Sequence, residues 1–264
     1  MTSLQPNELP SLRLSAVALY WLGAGLFIAN DFLWAAIHSG LWLLVADYIF
    51  RLLIVLLVFF WLRSVSLSDD AVFKFLFVGR RNTDQSTRRL ATLIWWTIVA
   101  SVGGVGIGQT VWPFLMYRLP STSLFSFPSL SGPLRIVDVT VGVALVGVSE
   151  EIMFRSLALR AILAMVPSIG RERSQPPGPP MSVFEIGRKG KVIVVVASSL
   201  VFGIIHWGSG VHAIISATTW GILPMVALIR TGSIWPAVIA HYATDLVAFS
   251  GIVPPAYYEL FVPR

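Results

Sequence analysis

Three short segments of this 264-residue chain set proton-transfer groups inside long apolar runs. The first, Val148-Ser149-Glu150-Glu151-Ile152-Met153-Phe154-Arg155, puts two carboxylates and a guanidinium close together. Successive residues of an α-helix diverge by about 100°, so Glu150 and Glu151 cannot point the same way. Glu151 and Arg155 are four apart with the acid N-terminal, the favourable order for an intrahelical pair, whereas Glu150 and Arg155 are five apart. This spacing predicts that Arg155 holds Glu151 and that Glu150 has no mate on its own helix. The other two segments supply imidazoles. Phe202 and His206 share one helix face, and so do His241 and Asp245. A buried carboxylate with imidazoles nearby suits general acid and base work.

These groups need apolar elements to carry them, and the composition supplies little else. The chain is 56% hydrophobic and 12% charged, with a mean hydropathy of +0.78, far from a soluble domain. Runs long enough to span a bilayer fall at 14 to 37, 41 to 62, 90 to 117, 136 to 166, 192 to 207, 211 to 229 and 234 to 252. The expected fold is therefore all-α, a polytopic transmembrane bundle of about seven spans, six to eight at the limits. The fourth run reads as one tilted helix or two pieces. A single membrane domain, 1–264, divides into N-terminal helices over 1–135 and a core over 136–252 that bears all three motifs.

Loop charge sets the orientation. Arg63, Lys74, Arg80, Arg81, Arg88 and Arg89 follow the second run, and Arg171, Arg173, Arg188, Lys189 and Lys191 follow the fourth. Seven spans put both groups on one side with Arg13 and Arg230, which predicts a cytoplasmic N-terminus in a cell inner membrane. The formal charge of +6 is accounted for by these loops, so no nucleic-acid partner is expected. Pro176-Pro177-Gly178-Pro179-Pro180 reads as a stiff solvated linker. With no cysteine, thiolate chemistry and disulfides are excluded. Trp95, Trp96, Trp112 and Trp235 sit where an interfacial belt belongs.

An ionisable group at mid-bilayer costs about 2.5–3.5 kcal/mol on insertion scales, so each needs a partner or a task. Asp47 and Arg51 are four apart and read as a structural pair. Asn30 and Asp31 fall near a span end, His38 lies beyond it, Asp138 reads as a helix N-cap, and His212 caps or lines a turn. By rise per residue, Glu150 comes out near mid-span, with His206, His241 and Asp245 within about two turns of its depth.

Taken in order, Glu150-Glu151-x-x-x-Arg155, Phe202-x-x-x-His206 and His241-x-x-x-Asp245 resemble the CAAX protease and bacteriocin-processing family, also called Abi or CPBP. The resemblance spans residues 140 to 250. It implies intramembrane hydrolysis of a peptide bond, with a peptide or membrane-protein substrate met in the lipid bilayer. Glu150 would correspond to the general base, His206 would help it hold the attacking water, and His241 with Asp245 would match the oxyanion positions, while Glu151, Arg155 and Phe202 support them. The family's third motif ends in Asn or Asp, and CAAX-processing members have Asn, so Asp245 departs from that branch. An ionised Asp245 cannot donate a hydrogen bond, and its expected role is to orient His241. Glu150, His206 and His241 also make a nitrogen and oxygen ligand set that zinc accepts, but neither histidine pair has the compact His-Glu-x-x-His spacing. The reading favours a metal-free, glutamate-activated water, with zinc as the candidate cofactor if a metal binds.

Two other classes share these features. A proton-coupled transporter also turns Glu, His and Asp inward, though it generally brings internal repeats and discontinuous helices. A catalytically silent family member acting in immunity or as a scaffold would retain the same residues for packing.

Overall fold

The computed structural model describes residues 8–36, 40–65, 86–119, 130–166 and 186–250. Among these there are seven helical rods and no strand. They are α1 (Glu8–Ala36), α2 (Gly40–Val65), α3 (Ser86–Arg118), the rod α4 over 132–165, α5 (Arg188–Ile204), α6 (Val211–Thr231) and α7 (Trp235–Ser250). The all-α bundle agrees with the apolar runs to within a few residues at most boundaries. Among the described residues, four helices are long and apolar enough to cross a membrane: 14–33, 40–61, 90–118 and 211–231. Of the basic residues assigned to loops, Arg63 lies in the last turn of α2, Arg88 and Arg89 lie in the first turn of α3, and Arg188, Lys189 and Lys191 open α5. Lys74, Arg80, Arg81, Arg171, Arg173, the Pro-rich spacer and His38 lie outside the described residues.

The fourth run is one rod with two wide turns in it. Gly132–Val137, Val143–Glu151 and Ala158–Met165 are α-helical, and the intervening Asp138–Gly142 and Ile152–Leu157 are π-helical. At the second wide turn the Ala158 N–H reaches back to Met153 O. Such turns occur mostly as short interruptions of α-helices, frequently beside functional sites. They bracket the α-helical stretch that carries both glutamates.

This rod is the centre of the bundle. Every residue from Ser149 to Leu159 is buried, and α1, α2, α5 and α7 all pack against it. Around it, α3 packs on α6 and α7, and α5 packs on α6. In lipid no hydrophobic force joins helices, so close packing through small residues has to do so. Ala158, Ala161, Ala213, Ala237 and Ala240 are accordingly fully enclosed. Gly147 lets α7 approach α4 so closely that an added Cβ would lie 3.5 Å from both His241 Cβ and Val238 O. Outward surfaces of α1, α2 and α3 carry Leu, Ile, Phe and Trp, among them Trp95, as a lipid face requires.

Asp138 corrects one expectation. The rod begins at Gly132 with Pro133 in its first turn and Ser131 ahead of it, so Asp138 lies inside the helix and does not cap it. It accepts a 2.6 Å hydrogen bond from Tyr48 Oη, fastening α2 to α4. Above that contact Gly142 leaves room for the phenol, which would collide with any Cβ there.

Candidate active site

Glu151 is fully buried and its partner is the one the spacing predicts. Arg155 Nε stands 3.0 Å from Glu151 Oε2. The guanidinium also donates from Nη1 to Phe154 O at 3.0 Å and lies 4.5 Å above the Phe202 ring. The face of an aromatic ring attracts a cation most strongly when both are desolvated. Phe202 thus shields a buried charge as well as filling space, and its edge meets His206 at 4.8 Å.

The other oxygen of Glu151 goes to α7. His241 Nδ1 lies 2.9 Å from Glu151 Oε1, and since a carboxylate accepts, Nδ1 carries the proton. Glu151 therefore orients the His241 ring from its Nδ1 side. Asp245 Oδ2 sits 3.5 Å from the opposite nitrogen, His241 Nε2. Trp220 covers the ring at 4.7 Å and is itself held by Thr244 through a 3.1 Å hydrogen bond.

Glu150 has no partner on its own helix, as the spacing requires, but it has one on α2. Arg51 Nη1 donates to Glu150 Oε1 at 2.8 Å. The second oxygen, Oε2, is enclosed and has no hydrogen-bond partner among the described residues. It faces His241 Nε2 at 3.7 Å. His206 lies within electrostatic reach of Glu150 and His241, just past the end of α5, where its Nδ1 approaches Phe202 O at 2.8 Å. A carbonyl accepts, so that nitrogen donates and Nε2 of a neutral His206 is left with its lone pair.

Glu150, His206, His241 and Asp245 are thus gathered around one enclosed region, with Glu151, Arg155 and Phe202 packed behind them. The N-terminal helices contribute polar contacts to this region as well as apolar surface. Arg51 bridges Asp47, at 2.7 Å, and Glu150, Asn30 Nδ2 donates to Asp47 Oδ1 at 2.7 Å, and Asp31 lies within electrostatic reach of Glu150 and Arg51. One sequence signal pointed to Arg51, the sole Lys or Arg within the first three apolar runs, while an acid in the fourth run lacked a mate.

The zinc reading named Glu150, His206 and His241 as ligands. Among the described residues no three His, Asp or Glu side chains converge closely enough to hold a metal ion, and the Arg51 cation already occupies one oxygen of Glu150. This donor set does not fit a resident metal.

A helical membrane bundle with a largely buried carboxylate–imidazole cluster at its centre is the class that fold and site define. Within it, residues 132–247, from α4 to α7, match the family model described as Type II CAAX prenyl endopeptidase Rce1-like. The match agrees with the CAAX protease type that the three motifs resemble, and that family's description is of an endopeptidase. Helices α1 to α3 lie outside the match. No curated protein and no solved structure matches the chain.

Proposed function

We propose that this protein is an intramembrane endopeptidase in which Glu150 activates water without a metal. The observation that carries this reading is the division of the Glu150 carboxylate. Oε1 is held by Arg51 at 2.8 Å, and Oε2 is left enclosed, unpartnered and turned toward an imidazole. A base must lie within hydrogen-bond reach of the proton it takes, and Oε2 is the oxygen available for that. It takes a proton from water, the water oxygen adds to the scissile carbonyl carbon, and the C–N bond then breaks. The proton returns to the leaving nitrogen through Glu150 or the lone pair on His206 Nε2.

The developing oxyanion needs donors, and each such donor is worth about 3–4 kcal/mol in comparable sites. His241 commits Nδ1 to Glu151, so it donates from Nε2 only when doubly protonated. Asp245, 3.5 Å from that nitrogen, provides the countercharge for this form. In this reading 136–252 is the catalytic core, 1–135 supports it, and the chain lies in the inner membrane with its N-terminus cytoplasmic, supported by the loop charges. The proposed substrate is a peptide or membrane protein presented in the bilayer. Asp245, where CAAX-processing members carry Asn, argues against restricting it to prenylated tails.

The test uses purified full-length protein and a library of membrane peptides. Cleavage that is lost in Glu150→Gln and His206→Ala is the expected result. Unchanged cleavage in Glu150→Gln sinks the proposal, and intact peptides accompanied by proton flux in liposomes replace it with transport.

A further inference from the structure

The guanidinium of Arg51 is placed as though Glu150 were its purpose. A structural pair with Asp47 would already be neutral, four residues along the same helix, and would ask nothing of α4. Yet the side chain uses Nε for Asp47 Oδ2 at 2.7 Å and extends Nη1 to Glu150 Oε1 at 2.8 Å, with Ser149 Oγ at 3.4 Å from the same nitrogen. Asp47 is fixed in turn, because its other oxygen accepts from Asn30 Nδ2 at 2.7 Å. The Phe27 ring closes the far side, 5.7 Å from the guanidinium carbon. Asn30, Asp47, Arg51 and Glu150 are all buried, so the chain of contacts from α1 through α2 to α4 runs out of bulk water.

We propose that Arg51 is a positioning residue for the general base, and that Asn30 and Asp47 hold it in place. The claim rests on the hydrolytic reading of Glu150. The end of a glutamate side chain has a broad terminal torsion with no sharp rotamer. Left alone, either oxygen would swing toward the water. Binding Oε1 to a guanidinium that is itself held at Nε fixes that torsion and leaves Oε2 as the one oxygen aimed into the cluster. Arg suits the task because its planar fork can serve two carboxylates in a set geometry, which a Lys point charge cannot. The catalytic helix would then depend on α1 and α2, which lie outside the family match.

Misplacing a reacting group by about 1 Å can cost on the order of 100-fold in rate. Arg51→Gln should therefore lower kcat by about 100-fold on a fluorogenic library peptide that the wild type cuts, with KM unchanged. Arg51→Lys should recover part of the loss, and Asn30→Ala should lower kcat while the protein still elutes as a monodisperse peak. Rates are normalised to folded protein by circular dichroism and size exclusion. If the folded fraction of Arg51→Gln turns over at the wild-type kcat, or if KM alone rises, the positioning role is refuted. Asn30→Ala guards against misfolding of the Arg51 variants, and wild-type kcat in that variant removes Asn30 and Asp47 from the claim. Glu150→Gln separates the two ideas. Activity retained there overturns the hydrolytic reading and this one with it, whereas a dead Glu150→Gln beside a fully active Arg51→Gln overturns only this one.

Discussion

Glu151→Ala tests the division of labour between the adjacent glutamates through stability. Glu151 and Arg155 are both fully enclosed and in contact at 3.0 Å. Deleting the acid leaves a buried guanidinium with the Phe154 carbonyl, Ser198 and the Phe202 ring for company. Breaking such a pair from one side costs about 3–5 kcal/mol, because the remaining charge is uncompensated. His241 also loses its Nδ1 partner, so about 4 kcal/mol is a reasonable middle value. At about 2–4 °C per kcal/mol for a chain of this size, the melting temperature should fall by about 8–16 °C. Glu150→Gln should shift it much less, since Arg51 retains Asp47 at 2.7 Å. Because the chain has no cysteine, thiol dyes report nothing here. Heating detergent-solubilised protein and measuring the surviving size-exclusion peak gives the midpoint instead. A Glu151→Ala protein that melts with the wild type, or a Glu150→Gln protein that loses more, would mean that the two acids have been assigned the wrong way round.

Tyr48→Phe removes the hydrogen bond to Asp138, and a bond to a charged group is worth about 1.5–3 kcal/mol; the same heating assay should show a lower midpoint with cleavage retained. Gly203→Ala drives a Cβ into Thr218 and the Ile214 carbonyl, and overpacking of this kind costs about 1–3 kcal/mol; the variant should be less abundant in membranes than the wild type on an immunoblot. Incubation with a strong chelator should leave peptide cleavage unchanged, since the donor set does not fit a metal; loss of activity restored by zinc would reverse that conclusion.

What spacing could read was contact within one helix. Asp47 with Arg51, Glu151 with Arg155, and His241 with Asp245 are each four apart, and each lies within 3.5 Å. Apolar periodicity likewise located the seven rods. Contacts between helices were not legible in the same way, because they depend on how each rod is rotated and how closely its neighbour approaches. Spacing pairs Arg51 with Asp47 alone and His241 with Asp245 alone, whereas the structure also joins Arg51 to Glu150 and His241 to Glu151. The π-helical turns on either side of Val143–Glu151 leave no simple residue pattern either, yet they alter the rotation of everything beyond them.

The two adjacent acids end up in matching surroundings, and the difference between them lies in single atoms. Each has its own arginine, Arg51 for Glu150 and Arg155 for Glu151, and each faces one nitrogen of the same imidazole. Glu151 accepts a 2.9 Å hydrogen bond from His241 at Oε1, and its Oε2 forms a close ion pair with Arg155 at 3.0 Å that is not aligned as a hydrogen bond. Glu150 has one oxygen engaged at 2.8 Å and a second whose approach to His241 is 3.7 Å. A ring nitrogen at that distance is too far for a hydrogen bond, which keeps the oxygen available to a third party. Under the proposed mechanism, one arginine within the motif and another from outside it would turn two identical side chains into a strut and a base. The second arginine is the part that a search confined to the motif would overlook.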